Sequence, residues 1–479
     1  MEKQQQYPSM PIKAQPYNHQ REAFEFACRM FGVGSDVISQ GTALLMEMGT
    51  GKTITSIAIT GALYLTDKIH RVLVVAPLSI VGVWDEEFQK FADFDYTIAV
   101  LTGTGTKKAD TLRHMHGESL QVAVVNYESA WRLEKEIIAW QPDLVIADEG
   151  HKIKSHNISA SKAMHKIGAK AGYRLLLTGT VITNKAIDVF SQYKFLNPSV
   201  FGGSFYVWRN RYFDMVGYGS HTPVLKRTME QELMKRLHSI AFRATKAECL
   251  DLPEMTDIIR YIDLEPSALR VYHDLVKDSY AELGQSEVTV TNILTRLLRL
   301  SQLTGGFIGD DESSTPQRIS TAKQSALEDI IDDVLQEGKK LVIIARFVAE
   351  IKAICNLLDK RGINYSCIMG GVKDREEQVS TFQNNPDIQV FVGQIATAGL
   401  GITLTAASTM VFFSLDYSMS NFEQAKARIH RVGQKANCTY IYLVAKGTVD
   451  EKVLEALRSK ANLARTLVDD YRHGLNPFQ

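Results

Sequence analysis

Short apolar runs alternate with longer amphipathic stretches in two separate blocks, and this alternation restricts the fold more than any other feature. In the first block, strands are predicted at 43–48, 71–76, 97–101, 122–126, 143–147 and 174–178. Amphipathic segments such as 53–66 and 79–91 lie between them. In the second, strands are predicted near 341–345, 364–369, 389–393, 410–414 and 439–444, with helices near 347–361, 373–384 and 421–431. Strands that alternate with helices build parallel sheets covered on both faces. The chain therefore reads as two α/β lobes. Between them, about 200–325, the pattern changes. Segment 201–222 is rich in glycine, aromatic and polar residues, 228–240 and 264–304 look helical, and 309–320 (GDDESSTPQRIS) is a polar, turn-prone loop. The resulting division is an N-terminal lobe at 1–250, a linker and helical insertion at 251–325, and a C-terminal lobe with a short helical tail at 326–479.

Composition removes several alternatives. A chain of 479 residues is long enough for about three domains. Lys plus Arg and Asp plus Glu are both 54, which excludes a histone-like protein that coats any polyanion. A locally basic site remains compatible with that balance. No apolar run approaches the roughly 18 residues of a membrane span. The start, MEKQQQYPSMPIKAQ, lacks the apolar core of a secretory signal, so a cytoplasmic location is expected. The five cysteines are scattered and form no C-x-x-C, so neither zinc nor disulfides are expected. His114 and His116 form an H-x-H without nearby partner ligands, which favours an exposed loop.

Four stretches carry chemistry. LLMEMGTGKT (44–53) is an apolar run entering a glycine-rich turn before a helix. Met48, Gly49, Thr50 and Gly51 would curl backbone N–H groups round phosphates. Lys52 would neutralise the β/γ-phosphates, and the Thr53 hydroxyl would ligate Mg2+. The full G-x-x-x-x-G-K-[ST] pattern fails only at its first position, Met46. DLVIADEGH (143–151) ends a strand in adjacent carboxylates. Acidic pairs after strands are common. With a phosphate loop upstream in the same lobe, Asp148 reads as the Mg2+ ligand and Glu149 as the base that deprotonates the attacking water. LLLTGTVITN (175–184) places Thr178 and Thr180 around Gly179, either as a plain strand-ending turn or as a relay from the γ-phosphate. In NFEQAKARIHRVGQK (421–435), Gln424, Arg428 and Arg431 fall at i, i+4 and i+7 and would share one helix face. A basic face is commonly just solvated. In a lobe without a phosphate loop, two arginines also suit the stabilisation of phosphoryl-transfer charge.

In this order, these blocks resemble the superfamily-two helicase core, and specifically the Swi/Snf-type DNA translocase family. Asp-Glu-Gly-His at 148–151 resembles its DEAD/DEAH box, and ATAGLGITLTAASTMVFFSLDYSMSNFEQAKARIHRVGQ at 396–434 resembles its joined fifth and sixth motifs. The likeness runs from about residue 16 to about 457. It implies two tandem RecA-like lobes with a short helical insertion, and ATP with Mg2+ as the nucleotide and metal. It places Tyr17 and Gln20 at the adenine and Thr178 and Gly401 at the nucleotide cleft, with Gln424, Arg428 and Arg431 as the sixth motif. It implies DNA contacts at Ala76, Pro77, Ser79, Asn126, Tyr127, Glu128, Arg346 and Thr397, with Gly399 and Thr403 in the same fifth motif as Thr397. The chain departs from the family pattern at Met46, Thr50, Val181 and Asp416-Tyr417-Ser418-Met419. Those departures suggest a divergent, bacterial or phage-type member, nucleoid-associated in the bacterial or phage-infected cytoplasm.

The function this implies is ATP-driven movement along double-stranded DNA, largely sequence-independent, with displacement or remodelling of bound proteins. A strand-separating helicase would need a wedge, for which 201–222 is the available segment. A non-motor, ATP-gated clamp would not need the catalytic groups retained here. Residues 150–187 hold seven Lys or Arg and no Asp or Glu, whereas 309–337 holds eight Asp or Glu against two Lys or Arg. That contrast is either chance unevenness or a basic nucleic-acid track with acid kept elsewhere.

Overall fold

A computed structural model describes residues 8–179, 186–216, 222–249, 252–283, 290–308, 316–370, 372, 374–395 and 402–465. The chain divides into two compact units, one built on Met1–Leu250 and the other on Asp251–Ala461.

The first unit contains β1 (Gly41–Met46), β2 (Arg71–Ala76), β3 (Tyr96–Val100), β4 (Leu120–Asn126), β5 (Leu144–Asp148), β6 (Tyr173–Thr178), β7 (Phe213–Val216), β8 (Thr222–Leu225) and β9 (Ala241–Ala244). Seven of them form one sheet in the order β3-β4-β2-β5-β6-β1-β9, and every pairing in it is parallel. Parallel sheets are buried on both faces, so their strands read as unbroken apolar runs. Strand β2 shows the two-residue period: Val72 and Val74 enter one core, Leu73 and Val75 the other. The carboxyl ends of β1, β5 and β6 lie side by side through the pairings Leu45↔Thr178 and Asp148↔Leu177. Loops at that edge are the ligand-binding position of open α/β sheets.

The second unit contains β10 (Met255–Ile262), β11 (Phe307–Ile308), β12 (Gln317–Arg318), β13 (Lys340–Ala345), β14 (Tyr365–Ile368), β15 (Val390–Gln394), β16 (Ala407–Phe412) and β17 (Cys438–Ala445). Its six-stranded sheet runs β10-β17-β16-β13-β15-β14 and is again parallel throughout. Leu341 and Ile343 face one core, Val342 and Ile344 the other. Both units are thus parallel sheets flanked by helices, the expected RecA-like architecture. No helix among the described residues is long and apolar enough to cross a membrane.

Three regions differ from the sequence reading. Strands β9 and β10 were not anticipated: β9 extends the first sheet beside β1, and β10 brings the start of the 251–325 segment into the second sheet. Segment 201–222 is packed rather than a free loop. It forms the helix Phe205–Tyr212 and the antiparallel β7–β8 hairpin. Trp208, Tyr212 and Phe213 are buried, and Trp208 packs against the rings of Phe190, Phe201 and Tyr212. Most of the described aromatic residues there serve the core, whereas Tyr206 and Val207 on the same helix are exposed. Finally, 264–304 comprises two helices, Pro266–Leu283 and Val290–Thr304.

Candidate nucleotide site and the second-unit arginines

The loop after β1 leads into the helix Lys52–Leu65. Gly49 (φ 85°) and Gly51 (φ 91°) adopt left-handed backbone conformations that L side chains rarely take. A Cβ on Gly51 would stand 2.1 Å from the Gln20 Nε2. The left-handed backbone, rather than this contact with the end of a flexible side chain, fixes glycine there. The helix start carries no acidic residue in its first turn, so its free N–H groups and positive dipole end remain suited to an anion. Thr50 is buried and its hydroxyl donates to the Glu47 carbonyl at 2.7 Å. Thr53 lies half-buried in the first helical turn.

The helix Asn18–Met30 holds this loop from outside. Gln20 accepts from the Tyr17 backbone N–H at 3.0 Å and donates to the Thr50 carbonyl at 3.2 Å. His19 Nε2 meets the same carbonyl at 2.7 Å, and its ring stacks on half-exposed Tyr17. The motif QPYNHQ thus braces the loop backbone while presenting Tyr17 as an aromatic face beside it.

Lys52 Nζ donates to the Met46 carbonyl at 2.9 Å and the Glu47 carbonyl at 3.4 Å. Burial lowers its pKa, opposed by the negative charges of Glu149, Asp148 and Glu47. Asp148, at the end of β5, accepts from the indole N–H of buried Trp84 at 3.0 Å and from the Glu149 backbone N–H at 2.9 Å. Burial, reinforced by the charge of Glu149, pushes the Asp148 carboxyl up to about 7; Lys52 and the two hydrogen bonds oppose that shift. The adjacent Glu149 takes a left-handed backbone conformation (φ 50°), which turns its side chain away from the line of the strand. Its carboxylate lies 3.2 Å from His151 Nδ1. Gly150 cannot carry a side chain, because a Cβ would come within 2.4 Å of Leu176. Each position of Asp-Glu-Gly-His therefore has a steric or polar reason for its residue.

The site contains what Mg-nucleotide requires: a helix N-terminus, a lysine, a hydroxyl at Thr53, and a buried carboxylate pair whose charge is undercompensated. A divalent cation held by Thr53 and Asp148 would relieve that excess charge. On these grounds the residues fit the group.

Several contributors escaped sequence reading. Trp84 holds Asp148 from the helix Val81–Phe91. Buried Arg243 on β9 donates to the Leu45 carbonyl at 3.1 Å and the Gly179 carbonyl at 2.9 Å, and pairs with Glu47 at 3.4 Å. It thereby ties the phosphate loop to the turn after β6. A lone arginine in an apolar run (AFRA) was the available signal, but only after the strand was recognised. Thr178 is buried at the end of β6; 180–185, including Thr180 and Val181, lie outside the described residues. Buried Tyr127 donates its hydroxyl to the Asp148 carbonyl at 2.7 Å, so it supports the acidic strand end. Asn126 is half-buried at the end of β4, and Glu128 pairs with Arg132 in the following helix. Ala76 is buried and Pro77 half-buried after β2; the Ser79 backbone lies in the following short 3-10 turn.

The basic track read at 150–187 needs one correction. Arg174 is buried and donates to the carbonyls of Leu196, Gly168 and Ala171, where it caps the end of the helix Ser159–Gly168. It cannot reach a ligand. Lys152, Lys162, Lys166 and Lys170 are exposed.

In the second unit, the helix Met419–Lys426 ends before both arginines. The shared helix face read from i, i+4 and i+7 is therefore wrong. After Lys426 the backbone turns: the Leu404 N–H donates to the Arg428 carbonyl at 2.9 Å, and the Gln434 amide donates to the carbonyls of Ala407 and Ile429 at 2.8 and 3.0 Å. These tertiary partners replace helical ones. Buried Arg428 and half-buried Arg431 instead converge, each donating to the Ile402 carbonyl at 3.4 Å. Gln424 remains on the helix and donates to Ser420. Residues 396–401, including Thr397, Gly399 and Gly401, lie outside the described residues, and Thr403 is half-buried beside them. Arg346 follows β13, with its guanidinium over the rings of Phe347 (5.0 Å) and Tyr417 (5.9 Å). The divergent Asp416-Tyr417-Ser418-Met419 is a helix cap: Asp416 accepts from the Ser418 and Asn421 side of the turn, and Ser418 Oγ accepts from the Asn421 N–H.

Comparison with known proteins places these features in a family. Residues 19–305 match the SNF2-related domain, and 322–433 match the helicase conserved C-terminal domain. Among curated relatives, the chain is 26% identical to DNA repair and recombination protein RDH54 of Saccharomyces cerevisiae (90% of this chain, 51% of the relative). It is 25% identical to a chromodomain-helicase-DNA-binding protein 1-like of Danio rerio (91% and 43%). It is 27% identical to an uncharacterized ATP-dependent helicase of Mycoplasma pneumoniae (90% and 40%). The chain spans about half the length of the curated relatives it matches. A solved Sulfolobus solfataricus SWI2/SNF2 ATPase core in complex with dsDNA is 26% identical, with 99% of this chain and 96% of that chain covered at a TM-score of 0.47. With the family match spanning more than half of its length, the chain belongs to the SNF2-related family of superfamily-two helicase-like ATPases.

Proposed function

We propose that the chain is a DNA-dependent ATPase that couples hydrolysis of Mg-ATP to translocation along double-stranded DNA, displacing or remodelling bound proteins. The observation that carries this reading is the buried acid pair Asp148–Glu149, with Asp148 held by the Trp84 indole at 3.0 Å, at the same sheet edge as Lys52 and a glycine loop braced by Gln20. A binding module has no need of a buried acid pair at that position.

In this reading, the N–H groups of 49–53 and Lys52 bind the phosphates, with the base against Tyr17 and Gln20. Lys52 exchanges its present carbonyl partners for phosphate oxygens. Thr53 and Asp148 would hold Mg2+, which would supply neutralisation of phosphate charge. Trp84 and Tyr127 orient Asp148. Glu149, steered by His151, takes the proton of the attacking water. Arg428 and Arg431 stabilise the charge that spreads over the transferred phosphoryl group. Pro77, Ser79, Asn126, Arg346 and Thr397 are the proposed DNA-contact positions, directed chiefly at phosphates.

Three assays on the same preparation discriminate the readings. Duplex DNA stimulates ATP turnover, and a triplex-forming strand is displaced while the underlying duplex stays paired. Efficient unwinding of a forked duplex would favour a strand-separating helicase instead. Absence of DNA-stimulated hydrolysis would leave only the non-motor clamp.

A further inference from the structure

We propose that Cys355 and Cys367 form an oxidisable dithiol on the second unit, a modification site that closes to a disulfide by exchange with a small disulfide such as oxidised glutathione. The sequence gives no hint of it, because the two cysteines belong to no C-x-x-C pattern. The fold creates the pair. Cys355 lies on the helix Val348–Lys360 and Cys367 on β14, the outermost strand of the sheet on which that helix packs. The Tyr365 hydroxyl donates to Asp359 on that helix at 3.4 Å. Cys355 lies one helical turn before Asp359 and Cys367 two residues after Tyr365 on the same strand face, which sets the two thiols against each other.

Position and chemistry agree. Both cysteines are only partly buried, at the rim of the sheet, where a small oxidant can reach them. Cys28 and Cys438 are enclosed; burial pushes the Cys28 thiol up to about 12, out of the reactive range. Cys355 is held below the ordinary thiol value, first by the Cys367 thiol that donates to it, with help from the Tyr365 hydroxyl and against its own burial. The same contact raises Cys367. The pair therefore releases its first proton from Cys355, and the thiolate is the attacking species in disulfide exchange.

The exchange balances in two steps. The Cys355 thiolate attacks one sulfur of oxidised glutathione, the glutathione S–S bond breaks, and one glutathione leaves as thiolate. Cys367 then loses its proton, attacks the Cys355 sulfur, and expels the second glutathione. Two protein thiols are oxidised and one external disulfide is reduced. The link would join the helix Val348–Lys360 to β14 without involving the nucleotide-site residues.

The test uses the full chain, fully reduced, exposed to oxidised glutathione, blocked by alkylation and digested without reduction for mass spectrometry. The expected product is a cross-linked peptide pair containing Cys355 and Cys367, lighter by two hydrogen atoms than the reduced pair and separated by dithiothreitol. Each single variant, Cys367→Ser or Cys355→Ser, should stop at a glutathione adduct on its remaining cysteine of the pair, with no cross-linked peptide. Full alkylation of both cysteines after oxidation, or separate glutathione adducts with no cross-link, would overturn the proposal. If either variant fails to fold, mapping of the unaltered chain decides alone.

Discussion

Asp148 depends on neighbours that are far from it in sequence. The indole of Trp84 donates to its carboxylate at 3.0 Å from a helix 64 residues upstream. Removing a hydrogen bond to a buried charged group costs about 1–3 kcal/mol, and about 1.4 kcal/mol is tenfold in rate. Trp84→Phe keeps an aromatic ring in the core but removes the donor. We expect kcat for ATP to fall about tenfold and the half-saturating Mg2+ concentration to rise. A simple packing defect would lower stability without moving the Mg2+ dependence, so that titration identifies the positioning role. Arg431 provides a second residue-scale test. It is half-buried and donates to the Ile402 carbonyl at 3.4 Å. Arg431→Ala should abolish turnover, by about a thousandfold or more if it acts on the transition state, while a fluorescent nucleotide still binds. Near-normal turnover would remove it from the mechanism.

At the scale of elements, buried strands were the most legible part of the chain. Runs such as RVLVVA and KLVIIA are apolar on both faces, and parallel strands must be. The strands that escaped, β9 and β10, lie at sheet edges. AFRA holds a buried arginine, and MTDIIRYI keeps Met255, Ile258 and Tyr261 exposed, so neither shows an uninterrupted apolar run. The phosphate loop and acid pair were legible because each residue there answers to local backbone chemistry. The arginine segment was misread because helical spacing continues past Lys426 in the sequence, whereas Gln434 and Leu404 capture the backbone from a distance. Periodicity cannot report such long-range partners. Helix Ser159–Gly168 makes a testable demand of this kind. Its His165 is half-buried against the Ser191 carbonyl, and burial lowers its pKa from the usual 6.5 to about 4, with that hydrogen bond opposing. Between these values the unfolded chain binds the proton and the folded chain does not. Stability is therefore full above about pH 6.5 and declines as pH falls toward 4, by about 3 kcal/mol from this group. Denaturant unfolding across that window should show the loss, and His165→Gln should flatten the slope. An unchanged slope in the variant would assign the acid sensitivity to other groups.

For the whole molecule, zero net charge is the sum of unlike parts. The lysines at 152, 162, 166 and 170 are exposed on the first unit. In the second, acidic residues on the helix Ala322–Gln336 pair with basic neighbours, as Asp329 does with Arg260 and Asp332 with Arg361. A protein of this balance has no long-range field to hold a polyanion, so any grip on DNA must come from local contacts to phosphates. Each neutralised phosphate contributes a slope of about −0.9 to the log–log dependence of affinity on salt. If about four phosphates are held at once, raising salt fourfold weakens binding by about a hundredfold. We expect the DNA concentration for half-maximal ATPase stimulation to rise by about that factor between 50 and 200 mM salt, equally for duplexes of unrelated sequence. Turnover without DNA should change little over the same range, because the Lys52–Asp148–Glu149 cluster is largely buried and screened weakly. A shallow salt slope with a strong sequence preference would mean recognition of base edges. That outcome is incompatible with a motor that must hold and release the same backbone at every step.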